Sequence, residues 1–187
     1  MTMKLIVLSG SLRHGSYNTM LAREAVRLAP EDVDATVETI HGIPLYDADV
    51  EAGAGLPERV SALKETIVAA DGLLLVTPEY NNSLPGVFKN TIDWLSRPDA
   101  DIKRVFGGRP VALMGASPGG FGTILSQNAW LPVLRTLKVN FWSGGRLLVT
   151  RARDAFSENG ELTNPATQDQ LKAFMAGFAS FIRMNRQ

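Results

Sequence analysis

The sequence predicts an α/β fold, a parallel sheet covered by helices on both faces, and three observations predict it. Residues 4–8, 72–76, 111–114 and 147–149 are short, almost unbroken apolar runs of strand length, the pattern of strands buried on both faces. Segments with apolar residues at helical spacing separate these runs. Strand and helix alternate five times, with no repeat, low-complexity tract or linker, which argues for a layered domain spanning residues 1–187.

The elements follow in order. Residues 4–8 form the first strand, and Leu21, Ala25, Leu28 and Ala29 mark one face of the helix after it. Residues 35–40 are a weaker, partly polar strand suited to a sheet edge, and residues 42–55 read as a long loop. Pro57 fits the first turn of a helix whose core face is Leu56, Val60, Leu63 and Ile67. After the strand at 72–76, Pro78 stops the ladder because it has no amide hydrogen. Pro85 and Gly86 restart the chain as a helix with two adjacent apolar rows: Phe88, Ile92 and Leu95, and beside them Val87, Thr91 and Trp94. That is more apolar surface than one sheet contact needs. Residues 107–110 turn into the strand at 111–114, and the glycine-rich residues 115–122 lead to a helix carrying Trp130, Leu134 and Leu137. Pro132 is expected to kink or interrupt that helix. Residues 141–150 contain the last strand, 154–165 are a polar connection, and Leu171, Phe174, Met175, Phe178 and Ile182 give a final amphipathic helix.

Composition removes several classes of function. The 187 residues contain no cysteine, so disulfides, thiolate metal sites and thiol nucleophiles are excluded. Lys plus Arg number 19 and Asp plus Glu number 19, whereas a nucleic-acid binder shows a basic excess or stripe. The Lys103-Arg104 and Arg109 cluster reads as a solvated connection. The two histidines, His14 and His41, stand in separate loops, so no metal site is expected. No run reaches the length of a membrane span and no signal-peptide pattern is seen, which makes cytoplasm the expected compartment.

Three loops follow the first, third and fourth strands and so lie at the carboxyl edge of the sheet. The first, GSLRHGSYN with Ser9 just before it, offers hydroxyls at Ser9, Ser11 and Ser16, a cation at Arg13 and an amide at Asn18, just before a helix N-terminus. That set suits a phosphate; equally, Ser16 is an N-cap and Arg13 a surface charge. The loop lacks the lysine of a Walker loop and does not match G-x-G-x-x-G. The second loop carries Pro78, Glu79, Tyr80 and Asn81, able to give backbone amides and a flat surface to a planar ring. The third has Ser117 among glycines, with Gly119 and Gly120 letting the backbone approach a ligand.

The wording of these loops is specific. PEYN-x-S-x-PG-x-x-KN-x-x-DW over residues 78–94, G-S-L-R-x-x-S-x-N over 10–18 and G-x-S-x-G-x-x-G over 115–122 resemble the NADPH-dependent FMN reductase family of flavodoxin-like flavoproteins. The likeness runs from about residue 4 to about residue 162, and departs from the family pattern at Asn128, Leu131 and Pro132 and at residues 143–146. The resemblance implies a flavodoxin-like three-layer sandwich with five parallel strands in the order 2-1-3-4-5, whose switch point lies between the first and third strands. It implies FMN, with Ser11, Arg13, Ser16 and Asn18 at the phosphate, and Pro78, Glu79, Tyr80, Asn81, Ser117, Gly119 and Gly120 at the ring. No side chain is expected to be a chemical catalyst, because the flavin carries the reaction.

The resulting expectation is an enzyme that takes hydride from NADPH or NADH and reduces a quinone, free flavin, azo dye, chromate or ferric acceptor by a ping-pong mechanism. The alternatives are a flavodoxin-type electron carrier, disfavoured by the neutral net charge, and a nonenzymatic FMN-binding module. A homodimer is expected from the two apolar rows of the helix at 86–97, and the resemblance adds a possible tetramer.

Overall fold

In the computed structural model, residues 2–185 are described. The strands are β1 (Met3–Ser9), β2 (Val33–Thr39), β3 (Gly72–Val76), β4 (Pro110–Ala116), β5 (Asn140–Phe141) and β6 (Leu147–Val149). The helices are α1 (Tyr17–Arg27), α2 (Ala48–Ala54), α3 (Glu58–Val68), α4 (Gly86–Leu95), α5 (Ile102–Val105), α6 (Ile124–Thr136), α7 (Ala152–Ala155) and α8 (Pro165–Asn185). All strand pairs are parallel, in the order β2-β1-β3-β4-β5, with β6 also on β4. This is the flavodoxin-like order the resemblance implied.

The period-two geometry of strands sends alternate residues to opposite faces, which is why the apolar runs are unbroken. Leu5, Val7, Leu74, Val76, Ala112 and Met114 face a core shared with α1 and α8, through Leu21, Ala25, Leu171 and Phe178. Ile6, Leu8, Leu73, Leu75, Val111 and Leu113 face a second core with α3, α4 and α6, through Leu63, Ile67, Phe88, Ile92 and Trp130. The register sets Ser9 opposite Val76, and Val76 opposite Met114. The carboxyl ends of β1, β3 and β4 are therefore nearly level, and their three loops rise side by side.

The structure corrects the sequence reading at five places. The fifth strand is two pieces: β5 pairs with Pro110 and Val111, and β6 with Met114, Gly115 and Ala116. Between them the chain leaves the ladder so that Trp142 can enter the core against Phe174 and Phe178, with ring centroids 5.0 and 5.6 Å away. Gly144, Gly145 and Gly177 make room for it, since a Cβ on each would stand 2.5, 2.6 and 2.8 Å from the indole. The supposed loop at 42–55 contains α2, capped by Asp47 through Asp49 N at 2.8 Å. Pro132 does not interrupt α6, which runs on to Thr136 while Trp130 and Leu134 hold both turns in the core.

The fourth correction concerns α4. Its second apolar row is covered by the chain itself. Trp94 donates from Nε1 to Pro44 O at 2.9 Å, its ring meets Tyr46 edge-on at 4.9 Å, and Asn90 grips Pro44 O and Tyr46 N at 2.8 Å each. The double apolar face is thus satisfied within one chain and gives no support to a dimer. Arg109 also differs from a solvated residue: it is half-buried and donates to the carbonyls of Val105 and Ala70.

Candidate functional site

The loops after β1, β3 and β4 enclose one cleft of about 190 Å³ at the carboxyl edge of the sheet, at the switch point between β1 and β3. It is lined by Ser11, Arg13, Ser16, Tyr17 and Asn18 of the first loop, Pro78, Glu79 and Tyr80 of the second, and Ala116, Ser117 and Pro118 of the third.

The first loop is preset by local hydrogen bonds. Ser16 Oγ caps α1, accepting from Asn18 N and Thr19 N at 3.2 and 3.4 Å. Ser11 Oγ accepts from Arg13 N at 3.2 Å. Both hydroxyls are buried and keep their own hydrogens to donate. Arg13 folds over the loop, with Nε and Nη2 on Gly15 O and its guanidinium carbon 5.4 Å from the centre of the Tyr17 ring. That leaves Nη1 of its five-donor fork for an anion. The first turn of α1 carries no acidic residue to oppose one. So Ser16 is an N-cap, as one reading had it, without losing its capacity to donate.

Asn18 has a different task from the others. Its Nδ2 donates to Ala116 O and its Oδ1 accepts from Ala116 N, both at 2.9 Å. The buried side chain staples α1 to the end of β4, holding the first and third loops at a fixed spacing.

The second loop is tied to α6. Thr77 Oγ1 donates to Pro78 O and takes bonds from Ser126 Oγ and Trp130 Nε1, all at 2.9 Å. Glu79 Oε2 accepts from Leu125 N and Ser126 N at 2.9 and 3.0 Å. The carboxylate therefore caps a helix whose own N-cap residue, Thr123, makes no side-chain cap bond. Beyond Glu79 the chain reverses through Tyr80 and Ser83, which exchange backbone bonds at 3.1 Å. Asn81 and Asn82 sit between them with φ of 50° and 61°, the two positive values of a type I′ turn that asparagine tolerates. Asn81 is exposed and absent from the cleft wall, so turn geometry is the role the structure gives it.

The third loop closes on itself. Ser117 Oγ donates to Gly122 O at 2.6 Å, and Gly115 lets the second and third loops touch, since a Cβ there would lie 2.2 Å from Thr123 Oγ1 and 2.3 Å from Thr77 O. Gly119 and Gly120 do not line the cleft. A Cβ at Gly120 would meet nothing within 4 Å, and one at Gly119 only Ser117 Oγ at 3.8 Å, so packing within the chain does not demand glycine at either.

Of the residues singled out from sequence, Ser11, Arg13, Ser16, Asn18, Pro78, Glu79, Tyr80 and Ser117 are brought together, and Asn81, Gly119 and Gly120 are not. Tyr17, Ala116, Pro118 and the Thr77–Ser126–Trp130 set beneath the second loop escaped notice. Thr77 carried a signal, a lone hydroxyl ending an apolar strand. The two histidines, which the sequence separates, stack with ring centroids 6.1 Å apart, and His41 Nε2 bonds Leu12 O at 3.0 Å. Among the described residues no group of three or more His, Cys, Asp or Glu could hold a metal ion, and no helix is long and apolar enough to cross a membrane.

Comparison with known proteins bears on this cleft. Residues 3–154 match the family described as NADPH-dependent FMN reductase. The chain is 38% identical over 186 residues to a 2-hydroxy-1,4-benzoquinone reductase from a Burkholderia species, covering 100% of each. It is 39% identical over 183 residues to an NAD(P)H-dependent FMN reductase of Pseudomonas aeruginosa, covering 98% of this chain and 97% of the relative. Among solved structures, the flavoenzyme NAD(P)H:(acceptor) oxidoreductase FerB of Paracoccus denitrificans superposes with a TM-score of 0.87 at 32% identity, over 98% of this chain and 99% of that one.

Proposed function

The chain belongs to the NADPH-dependent FMN reductase family, and from that premise we propose that its cleft binds FMN and reduces quinone-type acceptors with electrons from NAD(P)H. The observation that carries this reading is the convergence of all three motif loops on one cleft. The cleft suits the cofactor: two buried hydroxyls and a partly free guanidinium for a phosphate, and Pro78, Tyr80 and Pro118 as apolar surface for a flat ring.

When bound, FMN supplies the hydride chemistry, accepting from the nicotinamide and passing two electrons to the acceptor. The protein binds and aligns. Ser11, Ser16 and Arg13 would hold the phosphate, with charge-assisted bonds from Arg13 the strongest of them. Asn18 fixes the distance between the phosphate loop and the third loop. Glu79 and Thr77 lock the second loop to α6, so Tyr80 and Pro78 present a constant surface. No side chain is assigned a proton-transfer role; the gain comes from alignment.

Donor and acceptor use the same cleft in turn, which gives ping-pong kinetics. The Burkholderia relative, a 2-hydroxy-1,4-benzoquinone reductase, favours quinones among the acceptors. The exposed apolar side chains Tyr80, Phe121, Leu125 and Leu131 support a homodimer that meets beside the cleft. Initial rates of NADPH oxidation at several quinone concentrations test the reading: parallel double-reciprocal lines are expected, and intersecting lines would refute a shared site.

A further inference from the structure

Among the described residues most arginines are engaged, Arg13 and Arg146 included. Arg27, Arg59, Arg97, Arg104 and Arg183 each grip a carboxylate, and Arg109 donates to carbonyls. Arg151 is exposed, and among the described residues its guanidinium makes no hydrogen bond or ion pair.

Its backbone is unusual as well. Arg151 has φ 46° and ψ 47°, the left-handed region, which is costly for a residue with a Cβ and free for glycine. Two hydrogen bonds hold it there: Arg151 N donates to Gly119 O and Ala152 N to Ser117 O, both at 3.0 Å. The chain after β6 is thereby fastened to the third loop, whose Ser117 and Pro118 line the cleft. The backbone geometry would be served better by glycine, so the residue type is explained by the side chain, a free cation rooted beside the third loop. The first loop already supplies donors for the phosphate of FMN.

We propose that Arg151 holds the 2′-phosphate of NADPH and so sets a preference for NADPH over NADH. The two donors differ only in that phosphate monoester, which carries close to two negative charges at neutral pH. A guanidinium pairs with it bidentately, through charge-assisted bonds. This inference rests on the NAD(P)H-dependent reading of the cleft. Arg153 provides the internal control: it carries the same charge two residues on and is exposed, but no backbone bond ties it to the third loop.

The test compares wild type, Arg151→Gly, Arg151→Lys and Arg153→Ala as FMN-loaded full chains. Three quantities are measured: the ratio of kcat/KM for NADPH to that for NADH, the calorimetric affinity for adenosine 2′,5′-bisphosphate against 5′-AMP, and the affinity for FMN. In Arg151→Gly the ratio and the bisphosphate affinity should each fall about tenfold or more, the scale of a charged hydrogen bond. Arg151→Lys should keep part of both, and Arg153→Ala should leave both within about twofold. An unchanged ratio in Arg151→Gly, an equal fall in Arg153→Ala, or a loss confined to FMN affinity would overturn the proposal. A wild type that oxidises neither nucleotide, yet binds the bisphosphate through Arg151, would overturn the reductase reading and leave the phosphate site standing.

Discussion

Removing the Glu79 carboxylate should loosen the second loop without abolishing chemistry, and the size of the effect follows from its bonds. Glu79 Oε2 takes two backbone hydrogen bonds at the start of α6, at 2.9 and 3.0 Å, and Thr123 offers no side-chain substitute. Losing an N-cap costs about 1 kcal/mol, within roughly 0.5–2 kcal/mol, and the carboxylate adds about 0.3–1 kcal/mol with the helix dipole. Glu79→Ala should therefore lose about 2 kcal/mol, or roughly 4–8 °C in Tm for a chain of this size. Glu79→Gln keeps an amide oxygen that can accept the same bonds, so it should lose about 0.5–1 kcal/mol, mainly the charge. Urea and thermal unfolding with and without FMN give the stabilities; turnover with a quinone gives the function. Turnover in Glu79→Gln should fall less than about tenfold, because alignment and not proton transfer is its contribution. Equal destabilisation by Gln and Ala would refute the capping role. A loss of several orders of magnitude in Glu79→Gln, with FMN retained, would show Glu79 acting in the chemistry.

Other outcomes follow from the same geometry. Arg13→Ala should weaken FMN binding by about 1.5–3 kcal/mol, measured by flavin fluorescence titration; wild-type affinity would remove Arg13 from the phosphate site. Gly115→Ala forces a Cβ to within 2.3 Å of Thr77 O, so it should cost about 1–3 kcal/mol in urea unfolding, and an unchanged midpoint would contradict the packing. The Arg27 hydrogen bond, helped by Leu162 N and opposed by burial, holds the Glu24 carboxyl below its ordinary range in the fold. Its stabilisation is full above the unfolded value of about pH 4.3 and is lost as pH falls through the folded value. Glu24→Gln should flatten the acid limb of the stability–pH curve, and an unaltered limb would argue against the clamp. Light scattering should give a mass near twice the 20.3 kDa chain; a monomer at micromolar concentration would refute the dimer.

Where the sequence was readable, burial explains why. Strands covered on both faces leave unbroken apolar runs, so β1, β3 and β4 stood out, and the three loops inherited their places from them. What escaped notice depends on contacts between distant residues. α2 buries none of its residues and is held by Glu51, which takes bonds from Tyr46 Oη and Arg97 Nε at 2.9 Å each, so no apolar periodicity announces it. The break in the fifth strand serves Trp142, whose partners lie on α8. Trp94 looked like a free apolar face until Pro44 and Tyr46 covered it. In the cleft, motif spacing found the lining residues better than their tasks. Asn18 binds β4 across 98 positions and Glu79 caps α6 across 46 and 47. Those long-range partners have no local signature.

The central claim is that this cleft holds FMN where NADPH can reduce it and a quinone can reoxidise it. Anaerobic mixing of the FMN-loaded protein with NADPH, followed in the flavin absorption band, tests this directly. The yellow band should bleach rapidly and return when a quinone is added, with one NADPH consumed per flavin in the first phase. A band that persists in NADPH while FMN stays bound would contradict the account.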